Sequence, residues 1–269
     1  MSLVCVFAAS KTEAEPLQRI TRAEGGGTSS GAEAAFRCGA NDFLLIIGAI
    51  GPRAAKAKAK EALGLSAIPE GASRPVKPRP EVVLITGLCG GLSGSLSETQ
   101  IVTYTDCLST EPDKPPLRCS PSVTDRLLDL LSSHGISCDP VTGITSPRVA
   151  VTKEDRLALA RSGAGVVDME SYEILAVAAE AGIPGAVLRV VSDSLETEML
   201  DFNRALKPDG TVDQWQLFRL VLGSPIRMVR LLAASKRAMQ EFAKALEVVL
   251  PSDCFAPATP MENDRSGSL

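Results

Sequence analysis

Apolar residues in this chain gather in short unbroken runs separated by amphipathic or polar stretches. Leu3 to Ala8, Phe43 to Ile47, Val82 to Ile85, Ile101 to Tyr104, and residues 141–145, 165–168 and 186–191 are each four to six residues long. Glycine, proline, hydroxyl or acidic residues bound them, which predicts buried strands. Between them the period changes. A helix is predicted after Ser10, with Glu13 and Glu15 at its positive end and Pro16 tolerated in its first turn. Further helices are predicted over Arg53 to Leu63, where Lys56 and Lys60 stand at i and i+4, and over 122–133, 170–181 and 215–250, the last broken near Gly223-Ser224-Pro225. Strands alternating with helices imply the α/β class: one three-layer αβα domain around a mixed, largely parallel twisted central sheet.

Glycine-rich 25–31 lacks the spacing and lysine of a phosphate-binding loop and reads as a loop between strands. The stretches 69–80 and 109–121 are proline-rich surface connections, and polar, irregular 194–213 has the character of a mobile active-site loop. The domain is placed at 1–250, with 251–269 a disordered tail rich in Pro, Ser and acids.

Composition narrows the function. Of 269 residues 45% are hydrophobic but 4% aromatic, so the core is built of Ala, Val, Leu and Ile. A net charge of −4 implies no basic face for nucleic acid. Seven scattered cysteines without a CxxC pair, and a single histidine, His134 at a helix end, imply no disulfide framework, metal site or cofactor. The first ten residues lack a basic signal-peptide region, and no run approaches the roughly 18 apolar residues of a membrane span, so a soluble cytoplasmic protein is expected.

The chemistry concentrates in 163–195. One strand ends at Asp168-Met169-Glu170, a helix follows, and the next strand ends at Ser192-Asp193. Ligands of open α/β sheets collect at the carboxyl ends of strands, and two acidic ends joined by a short helix suit acid/base work on a polar small molecule. Arg189, four residues before Asp193 on the same strand, shares its face and must find partners inside an apolar run. Asp168 is expected to cap the helix rather than react. Gly87, Gly90 and Gly91 allow close backbone approach.

VVDMES, then LRVVSD about twenty residues on, with TGLCGGL upstream and Glu13 just after the first strand, resembles the nucleoside phosphorylase/nucleosidase superfamily over residues 1 to about 200. The Cys-Gly-Gly segment, VDMES and the basic-apolar C-terminus look most like adenosylhopane nucleosidases, also called hopanoid-associated phosphorylases. The resemblance implies cleavage of a purine N-glycosidic bond. Asp193 would protonate N7 of the base and Glu13, rather than Glu15, would activate the nucleophile. Arg189 would hydrogen-bond near both. Glu170 would bind the ribose hydroxyls and Met169 pack on the sugar, with Gly87, Leu88, Cys89, Gly90, Ser192 and Val149 completing the substrate site. A homodimer or dimer-based oligomer is also implied.

Phosphorolytic relatives bind phosphate with an arginine and a hydroxyl residue in the Gly-rich segment. The corresponding positions here are Ile85 and Leu88, with Arg53 as the nearby substitute. Burying a dianion without charged donors is costly. Water is therefore the expected nucleophile, phosphorolysis the runner-up, and a catalytically silent nucleoside binder the third alternative. The arginine-studded apolar stretch 215–232 suits either a helix packed on the sheet or a peripheral membrane contact, where a long apolar 5′ substituent would also fit.

Overall fold

The computed structural model describes residues 2–23, 28–30, 33–48, 50–66, 78–197, 199–204 and 224–256. Strand β1 (Leu3–Ala8) runs parallel to β4 (Asn41–Ile47) on one side and to β5 (Val82–Gly91) on the other. Strand β10 (Gly185–Asp193) lies parallel to β5 beyond it. These four strands form a parallel centre buried on both faces. Along β1, Val4, Val6 and Ala8 enter one core with α1 (Lys11–Ala23), α3 (Pro121–Ser133) and α6 (Pro225–Val249). Cys5 and Phe7 enter the other with α2 (Pro52–Ala62) and α5 (Ser171–Glu180). The period-2 alternation of side chains thus fills two helical layers from one strand.

The flanks of the sheet are antiparallel. Strands β2 (Thr28–Ser30) and β3 (Glu33–Cys38) add to β4 as a meander. On the far side β6 (Ile101–Ser109) pairs antiparallel with β10 and parallel with β8 (Cys138–Thr145), while β7 (Leu117–Arg118) pairs with β6. Strand β8 then pairs with β9 (Val166–Asp168), and β9 returns antiparallel to β5. Strands β5, β10, β6, β8 and β9 therefore close into a ring, which an open-sheet reading of the sequence does not anticipate. The three-layer αβα arrangement and mixed sheet are otherwise those expected.

Several boundaries differ from the sequence expectations, each for a physical reason. Strand β5 does not stop at Ile85: Gly87 to Gly90 pair with β10, and Gly90 and Gly91 pair with β9, so the glycine segment is strand rather than turn. Small residues are needed where two strands and the buried ends of side chains crowd one backbone. Thr28–Ser30, within the expected loop, is a short strand, and β3 and α4 (Lys153–Ala160) were not anticipated. The α4 start is a capping box, with Asp155 N–H donating to the Thr152 hydroxyl and Thr152 N–H donating to the Asp155 carboxylate. Residues 251–256, assigned by composition to a disordered tail, are instead packed against the domain. Cys254 and Phe255 are buried, the Phe255 ring meets Phe43 edge-on at 6.0 Å, and Asn41 Nδ2 donates to the carbonyls of Leu250 and Ser252. One aromatic anchor and the two hydrogen bonds from Asn41 to the backbone outweigh a proline- and serine-rich composition. Residues 205–223 and 257–269 lie outside the described residues.

Gly143 on β8 marks the tightest packing of the ring. A Cβ there would stand 2.1 Å from the Tyr104 ring, whose hydroxyl donates to Asp168 Oδ2 at 2.9 Å. Gly143→Ala is expected to lower stability by about 1–3 kcal/mol, since overpacking must shift a buried ring. Urea unfolding checks this; an unchanged midpoint would mean that the ring relaxes without cost.

Candidate active site

At the carboxyl ends of β1, β4, β5, β9 and β10 a cavity of about 260 Å³ is lined by Ser10, Glu13, Ile50, Leu88, Cys89, Gly90, Val149, Met169, Glu170, Ser192 and Asp193, together with Arg148, Arg156 and Met199. This is close to the lower end of small-ligand sites, about 300 Å³. Of the residues singled out in the sequence, Glu13, Glu170, Asp193, Met169, Leu88, Cys89, Gly90, Ser192 and Val149 reach the cavity wall. Gly87 and Arg189 stand behind it, each supporting a carboxylate.

Glu13 lies in the first turn of α1. Ser10 N–H donates to Glu13 Oε2 at 3.0 Å, and Glu13 N–H donates back to the Ser10 hydroxyl at 3.3 Å, which closes a capping box. The other carboxylate oxygen, Oε1, accepts from Leu88 N–H at 2.9 Å. Gly87 makes this approach possible. Its φ of +133° is a left-handed conformation, and a Cβ would stand 2.6 Å from Glu13 Oε1. Burial raises the Glu13 pKa above the usual carboxylate range, against the opposing pull of Arg189 and the two backbone donors. Glu15 points to solvent beside Arg19, 3.8 Å away. The choice between the two acids is thus a matter of helix phase.

Arg189 is 1% exposed and is spent on four partners. Its Nε lies 3.1 Å from Asp168 Oδ2, Nη2 lies 3.4 Å from Glu170 Oε2, Nη1 donates to Leu88 O at 2.8 Å, and Nη2 donates to the Ser171 hydroxyl at 3.0 Å. Asp168 caps α5, as expected. Its Oδ1 accepts from Glu170 N–H and Ser171 N–H, both at 3.1 Å, and from the Thr145 hydroxyl at 2.7 Å. Burial works against the Asp168 charge, but Arg189 and these donors hold its pKa low. Glu170 also accepts from Gly51 N–H at 3.0 Å. Burial, with the negative charges of Asp168 and Glu13 nearby, raises its pKa to about 7 despite Arg189.

A register shift between Val191 and Asp193 turns Asp193 toward Gly90. There it forms a buried ion pair with Arg156 from α4, while Ser192 donates its hydroxyl to the other carboxylate oxygen. Arg156, 2% exposed, also donates from Nη1 to Gly91 O at 3.1 Å, and its Nε has no hydrogen-bond partner among the described residues. A Cβ on Gly90 would lie 3.0 Å from Asp193 Oδ2 and 3.2 Å from Arg156 Nη1, so glycine leaves room for the pair. Sequence reasoning missed Arg156. The capping-box pattern T-K-E-D at 152–155 announces the helix, but an arginine among charged residues reads as a surface side chain. Ser10 and Gly51 were missed as carboxylate ligands for a similar reason, since their backbone amides carry no sequence signal.

Other expected positions fall elsewhere. Ile85 is buried in the core against α2 and α5, and Arg53 is exposed on α2, outside the cavity lining. Burial pushes the Cys89 thiol well up, so it lines the wall as a neutral group. Val149 is held by a two-way backbone link to Asn203, at 2.8 and 3.0 Å. Among the described residues no cluster of His, Cys, Asp and Glu is arranged to hold a metal ion.

A family model described as "Phosphorylase superfamily" matches residues 4–208. A search of curated proteins finds no match. Among solved structures, a futalosine hydrolase mutant of Helicobacter pylori superposes with a TM-score of 0.67 at 14% identity, over 92% of this chain and 98% of its own. A 5′-methylthioadenosine/S-adenosylhomocysteine nucleosidase of Neisseria meningitidis, in complex with methylthio-immucillin-A, gives 0.68 at 16% identity, over 93% and 99%. The Helicobacter pylori nucleosidase with butyl-thio-DADMe-Immucillin-A gives 0.65 at 15%, over 92% and 97%. At such identities the likeness is one of fold.

Proposed function

The chain belongs to the phosphorylase superfamily, and from that premise we propose that it hydrolyses the N-glycosidic bond of a purine nucleoside, releasing the free base. The observation that carries this reading is the seat of Glu13. Backbone N–H groups of Ser10 and Leu88 converge on one spot at the strand ends, as they would around a bound anion, and the protein fills that spot with its own carboxylate. A phosphate entering beside it would meet a buried negative charge, whereas a water molecule would meet a base. The raised pKa of Glu13 makes it a stronger base than an ordinary carboxylate.

The remaining groups take complementary tasks. Glu170 accepts hydrogen bonds from the ribose hydroxyls, and its charge favours the cationic sugar of the transition state. Met169 packs on the sugar. Asp193, having taken up a proton from solvent, gives it to N7 as the bond from C1′ to N9 breaks and its electron pair moves into the base. Arg156 and the Ser192 hydroxyl bind the carboxylate left behind, so these two residues stabilise the product of proton transfer. Water adds to C1′ and loses its proton to Glu13. Adenine with a 5′-substituted ribose is the preferred substrate, and an apolar 5′ group such as that of adenosylhopane suits a wall containing Ile50, Leu88, Val149 and Met199. Phosphorolysis is the alternative, with exposed Arg148 on the cavity wall as its cation.

The test is base release from a panel of 5′-substituted adenosines and inosines, followed by chromatography. Adenine should appear from at least one adenosine; release from no member would overturn the reading.

Glu170 also predicts opposite pH trends for activity and stability. It must be ionised to act, so kcat/KM should fall as pH drops through about 7. Its pKa is raised on folding, so the folded state prefers the protonated form. The stability contribution is therefore full below pH 4.5 and is lost as pH rises toward about 7. Glu170→Gln should abolish this slope in thermal unfolding, measured across that range. A wild-type slope of opposite sign, absent from the variant, would contradict the assignment.

A further inference from the structure

Helix α6 changes character along its length. It is 25 residues long, about 37 Å at 1.5 Å per residue. In its C-terminal half the buried side is Ala238, Met239, Phe242, Ala245, Leu246 and Val249, and the exposed side is Gln240, Lys244 and Glu247. That is the ordinary pattern of a helix on a core. The first turns keep a buried side, Met228 and Ala234, but their outward side is apolar as well. Ile226 is 69% exposed, Val229 65% and Leu232 62%, spaced three residues apart. Arg227 and Arg230 stand exposed between them.

Charge adds a second, independent observation. No acidic residue occurs from Gln214 to Gln240, a stretch holding Arg219, Arg227, Arg230, Lys236 and Arg237 in a chain whose net charge is −4. Of these, Arg227, Arg230 and Lys236 stand exposed on α6, and positive charge beside exposed apolar side chains is what an anionic lipid surface complements, and what a neutral or basic partner does not. Among the described residues no helix is long and apolar enough to cross a membrane, so the contact is one of surface.

The helix is also aimed at the right end of the molecule. Its C-terminal carbonyl, Leu250 O, accepts from Asn41 at the start of β4, so that end lies at the amino ends of the parallel strands. Arg237, halfway back toward the N-terminus, pairs with Glu98 in the segment following β5. The first turns of α6 therefore extend on the side of the carboxyl ends, where the cavity lies.

We propose that the N-terminal turns of α6 form a docking surface for an anionic bilayer, with Ile226, Val229 and Leu232 entering the headgroup boundary and Arg230 among the groups contacting lipid phosphates. The surface stands on the helix alone and does not depend on which nucleoside bond is cut.

The test is cosedimentation of the full chain with phosphatidylcholine vesicles, with and without phosphatidylglycerol, at low salt. Binding is expected to the phosphatidylglycerol vesicles and to weaken with added salt. The triple variant Ile226→Ser, Val229→Ser, Leu232→Ser should lose it, and Arg230→Gln should weaken it about fivefold. Circular dichroism and thermal unfolding establish that both variants are folded. Equal pelleting of wild type and triple variant would overturn the proposal. So would the absence of vesicle binding together with a dimer in light scattering that the triple variant dissociates, which would make the face an interface between copies.

Discussion

Asp193→Asn will lower kcat by about 10² to 10⁴-fold while leaving nucleoside binding nearly intact. The amide fits the same space and can still hydrogen-bond N7, but it cannot deliver a proton, so the loss falls on the transition state and not on the ground state. The surroundings of the residue sharpen the expectation. Asp193 is 4% exposed and is fixed by Arg156, by the Ser192 hydroxyl and by the absence of a Cβ at Gly90. A neutral amide leaves the Arg156 guanidinium buried without its counter-charge, which costs about 3–5 kcal/mol when one partner of such a pair is removed. The variant should therefore be measurably less stable as well as slow. Steady-state kinetics with a binding isotherm and a melting curve separate the two effects. A Kd raised as much as kcat is lowered would assign Asp193 to binding rather than to proton transfer.

Glu13→Gln will have an effect of similar size, about 10² to 10⁴-fold, through the other half of the reaction. The amide retains a carbonyl oxygen that can accept from Leu88 or Ser10, but not both as the carboxylate does, and it cannot take a proton from water. Glu15→Gln is the control. Two residues along the helix, its side chain lies in solvent beside Arg19, and turnover should be unchanged. Comparable losses in the two variants would contradict the placement of the base.

The layered fold was legible because each central strand is an unbroken apolar run, and such runs have few alternatives to burial between helices. The ring closure was not, since it depends on β9 turning back onto Gly90 and Gly91, and pairing partners leave no periodic trace. The candidate site divides the same way. Glu13, Glu170 and Asp193 stand out as acids at the ends of apolar strands, and the family resemblance named them. Arg156 did not, because a buried guanidinium on an amphipathic helix is indistinguishable in sequence from an exposed one until its partner is placed. Leu88 shows a third case. It was singled out for lacking a hydroxyl, yet the structure uses its backbone N–H to hold Glu13, a contact any residue could make.

The measurement that bears most directly on the central claim is product analysis with and without phosphate. The enzyme is incubated with a cleavable 5′-substituted adenosine in phosphate-free buffer, then with phosphate added, and both the base and the sugar are identified. Hydrolysis predicts free base and free ribose derivative at the same rate in both, with no sugar 1-phosphate. Base release that appears only with phosphate, accompanied by the sugar 1-phosphate, would contradict the account.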